Sequence, residues 1–261
     1  MVKLKKNIQG ALNAWEMLID FPLPEAVTHK FKAKSDTIST LIGFPLVGLI
    51  LGILLAFAAF FCTVVFKPVA GSVIFAILAV AFLDLKDSGR GLGLLCSGFL
   101  LRLRRLPLAE ALPMLTGDWN KITNPLSAVF VSLFEIAKVA LLFTLSLYGA
   151  KLWIIAILVG AFTVQGVLAT VQERNTDSAI LPISRDKMQG IWWVSGVIYA
   201  VLLMIFPFGV IVAAATVYLC SNGFAEYFKR NFNGVTPDFI TVSGAVIEFI
   251  LLLIGVLFAV Q

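Results

Sequence analysis

Long, uninterrupted apolar stretches dominate the chain, and their lengths are those of membrane-crossing helices. Residues 37–66 carry no charged side chain, and neither do residues 152–172 or 188–225. A helix needs roughly 20 apolar residues to cross a hydrocarbon core of about 30 Å. The runs are continuous and lack the alternation of a membrane β-barrel strand, so they predict helices. In order, the expected spans are Thr40–Phe66 (with Pro45 near its start), a short Val69–Leu83, Pro125–Tyr148, Leu152–Val171, the run Ile191–Cys220, and Phe239–Val260. As one straight helix, Ile191–Cys220 would measure about 45 Å. Pro207 sits at its middle, which favours a hairpin of two short spans. The expected fold is all-α: a polytopic transmembrane helical bundle of about seven spans, within a range of six to eight. It forms a single integral membrane domain over residues 1–261.

Composition sharpens that picture. The chain is 60% hydrophobic and 13% charged, against about 45–50% and 25% for soluble domains. Its net charge of +5 does not predict nucleic-acid binding, because no basic patch is interleaved with exposed aromatics. The basic residues gather instead in an N-terminal segment, 1–36 (Lys3, Lys5, Lys6, Lys30, Lys32, Lys34), and in a polar segment, 84–121. The positive-inside rule then places the N-terminus in the cytoplasm. With the hairpin at Pro207, the polar segments 84–121, 172–189 and 221–238 share that face. No cleavable signal peptide is expected. Ala11 to Phe21 reads as a short amphipathic interfacial helix ended by Pro22 and Pro24. Gly91 to Leu101 is apolar but too short to cross, hence interfacial or re-entrant. The absence of an internal repeat speaks against an inverted-repeat transporter.

The chemistry-bearing residues are few. Cys62, Cys96 and Cys220 lie in apolar stretches without a CxxC pair, and His29 is the single histidine. Zinc sites, redox pairs and a Ser-His-Asp triad are therefore not expected, and any metal would be oxygen-ligated, such as Mg²⁺. Asp84 and Asp87 stand three apart on a helix end and share a face. At a membrane mouth they suit a Mg²⁺ that also holds phosphate oxygens; an ordinary solvated helix end, weakly paired with Lys86, is the other reading. Glu135 and Lys138 lie inside a span, one turn apart. They are either a structural ion pair facing the bundle or a functional group reaching a ligand. Arg104 and Arg105 read as contacts to anionic headgroups, and Trp119, Trp192 and Trp193 as interface anchors. Gly48 and Gly52 read as a helix-packing surface.

Several motifs, taken in order, resemble the cobalamin synthase family, the membrane adenosylcobinamide-GDP ribazoletransferases. Met17-Leu18-Ile19-Asp20-Phe21-Pro22-Leu23-Pro24 resembles the family's N-terminal stretch. Phe44-Pro45-Leu46-Val47-Gly48, continuing to Gly52, is similar to its F-P-x-x-G-x-x-x-G pattern. Leu83 to Gly91 resembles its L-D-G-L-A-D-T-x-D-G motif with one residue deleted, so that Asp84 and Asp87 fall on the first two aspartates and Arg90 on the third. Asn233 to Asp238 resembles G-G-x-T-G-D, with Pro237 in place of a glycine, and Gly244 to Glu248 resembles G-A-x-x-E. Lys138 falls where the family often has a lysine within a span. Asp118 is what survives of a D-S-R-x-G motif.

The resemblance implies a transferase of the final cobalamin assembly step. It would join adenosylcobinamide-GDP to α-ribazole or its 5′-phosphate, release GMP and need Mg²⁺. Asp84 and Asp87 would hold the metal. Asp118 and Asp238 would complete the acidic site or activate the attacking group. Arg90, Lys138, Arg174, Thr236 and Glu248 would bind substrate. It also implies a multi-pass protein of the cell's inner (cytoplasmic) membrane with a cytoplasmic active face, meeting its own copies or other cobalamin-pathway proteins. Arg90 and Pro237 open an alternative, a catalytically degenerate relative that binds a corrinoid or a partner protein.

Overall fold

Proline placement explains where four of the helices begin. Pro68, Pro125, Pro207 and Pro237 each stand at the first residue of a helix. There the missing N–H costs nothing, and the fixed φ is already helical. The computed structural model describes residues 9–16, 19, 37–86, 89–103, 125–171, 186–232, 234–258 and 260. A short helical stretch occupies residues 9–16. After it come α1 (Thr37–Val65), α2 (Pro68–Leu85), α3 (Arg90–Leu103), α4 (Pro125–Leu147), α5 (Trp153–Val171), α6 (Asp186–Leu203), α7 (Pro207–Phe232) and α8 (Pro237–Phe258). The described residues include no strand. Six of these helices, α1, α2, α4, α5, α7 and α8, are long and apolar enough to cross a membrane, and α6 contributes a shorter apolar stretch, Met188–Leu203. The protein is a membrane-embedded helical bundle, and among the described residues the six crossing helices and the shorter α6 fall within the six to eight expected.

α5 is the axis around which the others pack. Every residue from Trp153 to Ala169 is buried, and α1, α6, α7 and α8 all lie against it. A helix apolar on all sides belongs in the interior. The α1 contact is the most extensive, and it depends on the glycine pair seen in the sequence. A Cβ on Gly48 would stand 2.7 Å from the Leu158 carbonyl oxygen, and one on Gly52 would stand 2.7 Å from Ile155 Cα. Small residues let membrane helices approach this closely, and van der Waals packing then holds them. At the first residue of α5, the Trp153 indole N–H donates to the Leu251 carbonyl of α8 at 2.9 Å.

Four features fill in the expected layout. α6 and α7 are joined by Met204–Phe206 and pack together, forming the hairpin expected at Pro207. The polar segment expected from residue 221 is instead largely helix, because α7 runs on to Phe232. Its 26 residues measure about 39 Å. The exposed Glu226, Lys229 and Arg230 mark where the helix leaves the hydrocarbon, not where it stops. α3, at 14 residues and about 21 Å, is too short to cross; it packs along α8 and against α4. The stretch 9–16 docks on α1 at a glycine crossing, where a Cβ on Gly43 would meet the Gly10 carbonyl at 2.5 Å. Ala14 there is fully buried.

Candidate functional site

α2 stops inside the bundle, and its end carries the site. The Lys86 N–H still bonds back to the Phe82 carbonyl at 3.0 Å. Gly89 then adopts a left-handed φ of 71°, and its N–H reaches the Asp84 carbonyl at 2.7 Å. Glycine takes that conformation without a Cβ penalty. The chain reverses there and α3 begins at Arg90. Asp84 thus occupies the last turn of α2, and Lys86 lies one residue past its end.

Two buried ion pairs converge at this point. Lys138, from α4, places its Nζ 2.6 Å from Asp84 Oδ1 and 3.0 Å from Glu135 Oε1. The second contact lacks hydrogen-bond geometry: Glu135 Oε1 is buried and accepts no hydrogen bond. Lys86 donates to Glu248 Oε1 of α8. Both side chains of this pair are only 5% exposed, as is that of Lys138, whereas Asp84 and Glu135 retain 26% and 21%. Each ammonium also faces a ring. Lys86 Nζ stands 5.4 Å from the centre of Phe162, and Lys138 Nζ 5.6 Å from that of Phe134, within cation–π range. A small cleft runs along these groups, lined also by Leu83, Leu92, Gln165, Thr241 and Ala245. The Gln165 amide presses on Gly244, where any Cβ would collide with Nε2.

The structure therefore unites three of the residues singled out in the sequence: Asp84, Lys138 and Glu248. The pairing of Glu135 with Lys138 is present as expected, but the lysine's shorter contact is with Asp84. Thr236 acts as a helix cap, its Oγ1 accepting the Phe239 N–H at 3.4 Å. Asp238 lies in the first turn of α8, about 15 Å along the axis from Glu248, and does not line the cleft. Arg90 opens α3. Asp87, Asp118 and Arg174 lie outside the described residues. Among those described, no group of three or more His, Cys, Asp or Glu side chains is arranged to hold a metal ion. Asp84 and Glu248 each have a lysine in that place. No protein-family model, curated protein or solved structure matches the chain.

Sequence reasoning missed Lys86 and Gln165. Lys86 stood between two aspartates and read as their solvated neighbour; at the end of α2, with its backbone still helical, it meets Glu248, 162 residues away. Gln165 was the one strongly polar side chain between Lys151 and Gln172. A lone amide in an apolar span is the signal that pointed to it, since such groups are costly in hydrocarbon.

Proposed function

We propose that the protein is a membrane transferase of the cobalamin synthase type, joining adenosylcobinamide-GDP to α-ribazole or its 5′-phosphate and releasing GMP. One observation carries this reading. Asp84, Lys138 and Glu248 come from three separate motifs that resemble the family's, and they meet in one cleft.

The chemistry suits the charges available. The ribazole oxygen attacks the corrin-side phosphorus, the bond from that phosphorus to the bridging oxygen breaks, and GMP leaves with the electron pair. Fixed cations beside a departing phosphate lower that barrier, most of all where water is excluded. Asp118 and Asp238 are the acids assigned to activate the attacking group, and Arg90, Arg174, Thr236 and the cleft residues Lys138 and Glu248 contact substrate. Mg²⁺ belongs to this reading as the family's cofactor, and the resemblance would place it on Asp84 and Asp87. The setting is the cell's inner membrane with the site facing the cytoplasm, so a cysteine placed at position 235 labels from the cytoplasmic side.

A second reading has its own support. Arg90 replaces the third motif aspartate, and lysines occupy the carboxylates of the cleft. Both suit a relative that binds a corrinoid or a partner protein without turnover. One assay separates the two. Purified protein is given adenosylcobinamide-GDP, α-ribazole phosphate and Mg²⁺, and GMP is measured. GMP release supports the transferase; corrin binding without GMP leaves the second reading.

A further inference from the structure

Asp84, Glu135 and Glu248 are not arranged as a metal site, and their partners are already built into the chain. Asp84 and Glu135 flank the Lys138 ammonium, and Glu248 is bonded to Lys86. Lys86 and Lys138 reach these partners with their side chains 95% buried and an aromatic ring against each head group. A lysine ammonium taken out of water is held only by such compensation, and here each has both a carboxylate and a ring. Three carboxylates face two ammonium groups, a formal surplus of one negative charge. A divalent ion added to them would invert that surplus instead of cancelling it. It would also have to displace an ammonium, because its oxygen ligands are the atoms the lysines hold.

We propose that Lys86 and Lys138 are built-in cations that occupy Asp84, Glu135 and Glu248 in place of a divalent metal, so that this cluster neither binds nor requires one. Lys86 is the decisive residue, because it sits inside the aspartate motif and converts Glu248 from a free carboxylate into half of a buried pair. The inference rests on the transferase reading only for the expectation of a metal; its test does not depend on turnover.

The test is Mn²⁺ binding, read by electron paramagnetic resonance on the purified full chain in detergent. The wild type, Asp84→Asn and Glu248→Gln are compared, together with Lys86→Met/Lys138→Met. The expected result is that neither carboxylate substitution changes Mn²⁺ binding from the wild type. The double lysine variant, with three carboxylates released, gains one site at least tenfold tighter than any in the wild type. Two outcomes overturn the proposal: a wild-type site weakened tenfold or more by both Asp84→Asn and Glu248→Gln, or a folded double variant that gains no site. If the double variant does not fold, the comparison of wild type with the carboxylate variants decides alone. Failure of GMP release with this pattern intact removes the transferase and leaves the proposal standing.

Discussion

The Lys86–Glu248 pair offers the sharpest energetic test of the cleft. Exposed ion pairs contribute about 0–1 kcal/mol, because water and salt screen them. With both side chains 5% exposed, this pair belongs to the buried regime, where removing one partner strands the other charge and costs about 3–5 kcal/mol. Lys86→Met and Glu248→Met are each expected to cost that much. The double substitution to Met on both sides leaves no charge behind and fills similar volume, so it is expected to cost less than either single change. The resulting coupling free energy is at least about 3 kcal/mol, at or above the upper end for residues in contact. Equilibrium unfolding in mixed micelles, followed by tryptophan fluorescence, measures all four corners of the cycle. Additive costs, with coupling below about 1 kcal/mol, would refute the pair as a desolvated unit and restore the picture of a solvated helix end.

Three further outcomes follow from the packing and charge described. Lys138→Gln leaves Asp84 and Glu135 facing each other without a counter-charge, so it is expected to destabilise by about 3–5 kcal/mol; Glu135→Gln, which lowers the surplus charge, costs less, as thermal midpoints of the two variants will show. Gly52→Val forces α1 off α5 and is expected to cost upward of about 1–3 kcal/mol, visible as a lowered thermal midpoint and aggregation on size-exclusion chromatography; Gly98→Ala, on α3 with open space around it, is the control. Gly244→Ala drives the Gln165 amide out of its place, and the reading predicts weaker corrin binding than in Gln165→Asn, with both measured by equilibrium dialysis.

The spans were legible because lipid demands a simple pattern: apolar residues long enough to cross, interrupted by charge. The Pro207 hairpin followed from length alone, and the Gly48/Gly52 surface from residue size. The end of α7 was misplaced because charge reports where a helix meets water, while hydrogen bonding decides where it ends, and nothing in Ser221–Phe232 breaks a helix. Within the cleft, Glu135–Lys138 was legible because its partners are neighbours on one turn. Lys86–Glu248 was not, because 162 residues separate the two and only the folded bundle brings the end of α2 to α8. Asp84 stood out in the sequence by its place in a motif, but its contact with Lys138, 54 residues away, did not.

Because α2 ends beside the middle of α4 and α8, its last residues bring charge into the interior of the bundle. On the far side of the cleft Leu142, Leu145, Trp153, Ile154, Ile157, Leu251 and Ile254 are all buried in a continuous apolar core. A polar group that reaches the broken end of α2 meets, beyond the two ion pairs, a wall of apolar side chains.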